Sequence, residues 1–357
     1  DYGRFSGYGG RTGTPVIDEN SVLLPIINGS WAEFTPGRQR FYAFDNHDGR
    51  VLWVSNPSEE APKDLNIQSV PIVTEIDGQR LMIVGGADGW IYALQARTGN
   101  FVWKFQLSKR GINVSVVEHD GVVYAAHSEE NIDEGILGRV VAINGRGQGD
   151  ITRTHELWRA TEVPVGFSSP LLHDGVLYVV DNSSNLIAFD APTGEHLWEQ
   201  NIGTVGKASP VWADGKIYST EVNGNFVIVR ADRDGAEVID TEHIEMPDGR
   251  HAEIYSSPAV AYGRIYFTTE NGIFAIGNDA NAPVETWMPA GEMPVPDIDA
   301  EVTTIKVVPS DVVVHAGEQV QFEVHSFDVD GNFIRSRNAV WTFAGLDAEI
   351  SDDGMFW

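Results

Sequence analysis

The stretch NLIAFDAPTGEHLW, Asn185 to Trp198, decides how this chain is read. A short apolar run leads into a turn built on Pro192-Thr193-Gly194, and a tryptophan closes the unit. The wording recurs: RFYAFDNHDGRVLW ends at Trp53 and WIYALQARTGNFVW ends at Trp103. Alternation with a period of two marks half-buried strands, and a turn glycine lets the chain reverse without steric cost. Each copy therefore predicts two antiparallel strands joined by a tight turn.

Upstream of that unit lies a second recurring phrase, a Ser/Thr-Pro-like entry followed by an Asp-Gly turn and an apolar run. SSPLLHDGVLYVVDN, ASPVWADGKIYST and SSPAVAYGRIYFTTE are the clear copies, and looser ones bring the entries to six, near Thr14, Val70, Val114, Ser169, Ser209 and Ser257. Closing tryptophans stand at Trp53, Trp103, Trp158 and Trp198. Entry, turn and closing unit together make four short strands every 40 to 50 or so residues, and nothing helical of useful length intervenes. Four antiparallel strands at that period are the signature of a β-propeller blade. The expected fold is all-β: a propeller with six visible blades. Either residues 1–13 complete the ring, or further blades lie upstream in a parent of seven or eight; the truncated parent is the reading adopted.

The blade pattern stops near Gly277, and the propeller is placed at residues 1–278. Residues 279–300 are rich in Pro, Ala and acidic side chains and read as a linker. From residue 301 to Trp357 a new β pattern begins, with an AGEQ turn and a DVDGN hairpin before Trp341. It predicts a small immunoglobulin-like β-sandwich, and its roughly 55 residues fall short of the ~100 usual for that fold, so a truncated domain is expected.

The YALxAxTGxxxW wording at Tyr92 to Trp103, copied as IAFDAPTGEHLW, resembles the PQQ-like β-propeller repeat of quinoprotein alcohol dehydrogenases and of the BamB lipoprotein of outer-membrane assembly. FQLSKRGINVSVV, AHSEENIDEG and the module after the propeller are similar to large exported planctomycete-type proteins with PQQ-binding-like propellers. The resemblance implies that Trp53, Trp103, Trp158 and Trp198 stack between Ala/Gly positions of neighbouring blades. Gly49, Gly99 and Gly194 would then turn the chain ahead of those strands. On this reading these residues dock blades and carry no chemistry.

The chain's 52 acidic and 24 basic residues give a net charge of -28. Phosphates would be repelled, which argues against nucleic acid. With no cysteine, disulfides, thiolate catalysis and cysteine-held zinc are excluded, as is the adjacent-cysteine pair of quinoprotein dehydrogenases. No run approaches the ~18 apolar residues of a membrane-spanning helix.

One acidic loop, AHSEENIDEG, interrupts the third blade where other copies have a short turn. His127, Glu129, Glu130, Asp133 and Glu134 are the candidate metal ligands, with Ca2+ favoured by the crowded carboxylates and a mixed divalent site by His127 beside Glu129. A solvated acidic loop is the competing reading. Asp328 to Asn332, DVDGN, lacks the acidic twelfth position of a calcium loop, which is Ala339, and reads as a turn. No nucleophile elbow, zinc-protease motif or phosphate loop occurs.

The expected function is a non-catalytic binding or assembly scaffold in an exported multidomain protein, periplasmic, cell-surface or extracellular. It would present loops and a central channel to a protein or cell-envelope partner and need no cofactor. The alternatives are a PQQ- and Ca2+-dependent oxidoreductase and a carbohydrate-binding adhesin.

Overall fold

The computed structural model describes residues 14–28, 38–58, 69–133, 135–277, 293–345 and 348–357. Residues 1–13, most of the expected linker and Glu134 lie outside them. Every regular element described is a strand, and among the described residues no helix is long and apolar enough to cross a membrane.

Six sheets follow one another along the described chain, each a meander in which consecutive strands pair. In the fourth, Leu171–His173, Val176–Val180, Asn185–Asp190 and His196–Asn201 pair antiparallel in chain order. The first sheet spans Val16–Asp18 to Val51–Ser55, and the second Ile72–Ile76 to Phe101–Gln106. The third runs from Val117–His119 to Glu156–Thr161, and the fifth from Val211–Ala213 to Ala236–His243. The sixth shows three strands, ending at Gly272–Gly277. These are the four-stranded blades of a β-propeller. The first two strands of the second to fifth blades are joined by Asp77-Gly78, Asp120-Gly121, Asp174-Gly175 and Asp214-Gly215, both residues at positive φ. Asp-Gly suits that hairpin because its mirror-image turn follows the right-handed strand twist.

Blades are apolar on both faces, which explains why their strands read as runs broken by small residues. Along Asn185–Asp190, Leu186 and Ala188 pack with Ile217, Val227 and Val229 of the fifth blade. Ile187 and Phe189, pointing the other way, pack with Tyr124, Val140 and Ala142 of the third. Each fully buried aliphatic or aromatic side chain contributes about 1.5–3 kcal/mol. A one-residue slip would exchange the two faces, so the pattern also fixes the register.

The described chain divides into two compact units. One holds the first two blades, the segment Arg146–Asp150 and the C-terminal residues; the other holds the remaining four blades. In the C-terminal module, Thr304–Val308, Glu323–Phe327 and Phe333–Arg337 form a three-stranded sheet, and Val320–Gln321 pairs with Met355–Phe356. Phe322 gathers Trp341 and Phe356 around it. The module is built onto the first two blades. Ser310 donates from N to Val51 O at 2.8 Å, Gln95 Nε2 donates to Val329 O at 3.0 Å, and Asn100 Nδ2 donates to Thr304 Oγ1 at 2.9 Å.

Candidate functional site

All four closing tryptophans lie on the last strand of their blade, and three of them make the same joint. Trp53 Nε1 donates to Ala96 O at 3.0 Å, Trp158 Nε1 to Ala191 O at 2.8 Å and Trp198 Nε1 to Asp232 O at 2.9 Å. Each acceptor stands three residues before a turn glycine of the next blade: Gly99, Gly194 and Gly235. The indoles of Trp53 and Trp158 lie directly on Gly99 and Gly194, so a Cβ at either glycine would overlap the ring. Both glycines also sit in the left-handed region, at φ +68° and +76°. Gly49 shares that conformation at φ +77°, but a Cβ there would meet open space, with no atom within 4 Å of it.

Trp103 differs from the other three. It is fully buried, yet its Nε1 has no hydrogen-bond partner among the described residues. Its strand instead takes Gly149–Asp150 alongside as a parallel fifth strand, with Gly149 opposite Trp103. The third blade has a longer segment, NGRGQGD, where the others have a tight turn, and that insertion supplies the extra strand.

The acidic loop of the third blade connects Val122–Glu130 with Leu137–Asn144. His127 is 2% exposed and stands opposite Arg139 in the pairing register. Its Nδ1 accepts the Glu129 backbone N–H at 3.1 Å, and its Nε2 is buried without a hydrogen-bond partner among the described residues. Burial, reinforced by the Arg139 charge, lowers the imidazole pKa to about 4, so His127 is neutral at pH 7. Asp133 accepts hydrogen bonds from the guanidinium groups of both Arg139 and Arg159. Burial raises its pKa, but the two arginines outweigh that and bring it to about 2. Glu130 faces Lys109 at 3.8 Å. Among the described residues no three His, Asp or Glu side chains converge as a metal site would require. Glu134, the fifth candidate, lies outside the described residues. The sequence signal for Arg139 is a basic residue closing the acidic hairpin, in EGILGR; Arg159, on the next strand of the blade, has none.

Elsewhere the buried carboxylates are committed to the fold. Asp18 accepts from Arg80 Nε at 3.0 Å, and Glu19 accepts from Arg97 at 2.7 and 2.8 Å. Asp88 accepts from the Tyr92 hydroxyl at 2.5 Å, and Asp190 pairs with Arg233 at 2.6 Å. Asp181 caps the backbone N–H groups of Ser183 and Asn185, both at 2.8 Å. Glu221 does the same for Thr204, Val205 and Asn223 at 3.0–3.1 Å. Burial raises the Glu221 pKa, but these donors, Thr204 foremost, bring it below the usual carboxylate range. Asp328 repeats the device in DVDGN, accepting from Asp330 N and Asn332 N.

Comparison with known proteins places this arrangement. The outer membrane protein assembly factor BamB of Moranella endobia (strain PCIT) is 24% identical over 190 residues, half of this chain. The match spans 41% of that relative's length. The crystal structure of BamB from Moraxella catarrhalis superposes with a TM-score of 0.53 at 18% identity, covering 73% of this chain and 70% of that one. A europium-containing methanol dehydrogenase superposes with a TM-score of 0.51 at 13% identity, covering 72% of this chain and 61% of that one. At such identities the likeness is one of fold. The family model described as outer membrane protein assembly factor BamB matches residues 9–200 and 150–306, well over half of the 357, and the chain belongs to that family.

Proposed function

We propose that this chain is a non-catalytic binding and assembly scaffold, exported from the cytoplasm, that presents its propeller to a protein or cell-envelope partner. One observation carries the reading. All six buried carboxylates among the described residues, Asp18, Glu19, Asp88, Asp181, Asp190 and Glu221, are held by arginines, a tyrosine or backbone N–H groups. A general base needs a carboxylate free to take a proton, with its pKa tuned toward the working pH. Glu221 is moved the other way, its pKa lowered by the donors of the turn it caps. Membership of a family described by outer-membrane assembly, and a relative of the same description, support the same reading.

The test sets this scaffold against a quinoprotein oxidoreductase. The purified chain is titrated with PQQ in the presence of Ca2+ or Eu3+ and assayed for dye-linked oxidation of methanol and ethanol. The expected outcome is no saturable change in quinone absorbance and no dye reduction. A bound quinone that supports turnover would overturn the proposal.

A further inference from the structure

Where the C-terminal module meets the first two blades, the structure forms a partly open cavity of about 220 Å3. An apolar cavity of ~150 Å3 takes up benzene, so this one has room for one ring and a small substituent. Its apolar walls come from both partners: Trp53 of the first blade, and Val308, Phe327 and Phe333 of the module. Phe327 and Phe333 meet edge to face with centroids 5.9 Å apart, which sets an aromatic corner. Arg97 beside the cavity pins the module, donating from Nη1 to Asn332 Oδ1 at 2.7 Å.

Two guanidinium groups line this space, and they differ. Arg97 is spent: Nε and Nη2 engage Glu19 at 2.8 and 2.7 Å, and Nη1 holds Asn332. Among the described residues Arg50 makes only long side-chain contacts. Its Nη1 stands 3.4 Å from Glu323 Oε1 and its Nε 3.4 Å from Asp48 Oδ2. Glu323 has a nearer partner in His325 Nε2 at 2.9 Å. Asp45, the carboxylate lining the cavity, is engaged by the His47 backbone N–H at 2.8 Å. An arginine fork that meets a carboxylate well does so at about 2.7–2.9 Å, so Arg50 is under-used by its own protein neighbours. A mostly apolar pocket with one such polar anchor is the usual form of a small-molecule site.

We propose that this cavity binds a small organic anion with an apolar body, an aromatic or branched aliphatic carboxylate. Its body lies against Trp53, Phe327 and Phe333, and its carboxylate pairs with Arg50. The site is composite, since neither the blades nor the module alone forms it. It is distinct from the scaffold surface proposed above and stands whether or not that reading does.

The test uses the full chain and isothermal titration with benzoate, phenylacetate and isovalerate, each against its amide. The carboxylates are expected to bind at one site per chain, and the amides about tenfold more weakly, because an amide lacks the charge that Arg50 recognises. Arg50→Gln should lower carboxylate affinity about tenfold and leave amide affinity where it was. Because Arg50 also touches Glu323, Val308→Phe serves as a second variant that fills the cavity and keeps the arginine. It should abolish binding of acids and amides alike. No saturable binding of any carboxylate at millimolar concentration would overturn the proposal, and so would equal binding of acid and amide by the unaltered chain.

Discussion

At the Trp53 joint an uncharged indole, 1% exposed, covers Gly99 and donates to a backbone carbonyl. At the third-blade loop a buried imidazole accepts the Glu129 N–H, and the guanidinium groups of Arg139 and Arg159 hold Asp133. Both fix a connection between strands. The joint needs only a tryptophan, a carbonyl and a glycine at fixed offsets, so it can be copied from blade to blade. The loop needs specific charged partners, so it occurs once. The first should be indifferent to pH and the second should titrate.

The largest expected effect comes from removing the joint. Trp53→Ala deletes a fully buried indole and leaves the Ala96 carbonyl unpaired, which should cost about 3–5 kcal/mol. Trp198 makes the same hydrogen bond but is half-buried, so Trp198→Ala should cost only ~1–2 kcal/mol. Urea unfolding followed by circular dichroism measures both. Equal losses would show that the hydrogen bond, and not the buried ring, carries the joint.

Acid should separate the loop from the joints. His127 titrates at 6.5 when unfolded and at about 4 when folded. Between those values the unfolded chain binds a proton that the folded chain refuses, so stability falls as pH falls from 6.5 towards 4. At ~1.36 kcal/mol per pH unit that gap amounts to about 3 kcal/mol. The depressed Asp133 carboxyl acts lower down. Its contribution is present above 3.8 and lost as pH falls towards 2. Urea midpoints measured from pH 7.5 to 4.5 should drop more steeply for the wild type than for His127→Gln. Parallel curves would remove His127 from the account.

This contrast also explains how much of the molecule was legible. Tyr92 to Trp103 and Asn185 to Trp198 announce strands, turn and docking residue because the same physical problem, one blade sandwiched between two, is solved with the same residues each time. The six visible blades follow from that repetition. The loop was legible only as acidic composition: His127, Glu129, Glu130 and Asp133 look like ligands until Arg139 and Arg159 are placed beside Asp133, and their proximity is a cross-strand fact with no period. Trp103 misled in the opposite way. It carries the full repeat wording, but the insertion after the third strand of the next blade lays Gly149–Asp150 alongside its strand, and its indole makes no such hydrogen bond among the described residues. The Arg50 cavity had no sequence signal at all, since it joins residues more than two hundred positions apart.

A pair of glycine substitutions, one of them with the smallest effect expected, tests whether the glycine belongs to the joint or merely to the turn. At Gly99 an added Cβ would enter the Trp53 ring and the backbone would be held at φ +68°. Left-handed strain costs an alanine about 1 kcal/mol, and displacing a packed ring adds about 1–2 more, so Gly99→Ala should lose ~2–3 kcal/mol. At Gly235 the equivalent turn leaves open space where a Cβ would stand, with no atom within 4 Å of it, and has a φ outside the left-handed region. Gly235→Ala should therefore change stability by less than ~0.5 kcal/mol. The two substitutions are the same chemical change at equivalent places in two blades, and they differ in whether a tryptophan lies on the glycine. If Gly235→Ala proves as costly as Gly99→Ala, the glycine is required by the turn alone and the close indole contact at Gly99 contributes nothing measurable. If Gly99→Ala is the costly one, glycine and tryptophan form a single unit at the Trp53 joint, and the Trp198 joint shows that the indole hydrogen bond alone does not require contact with the glycine.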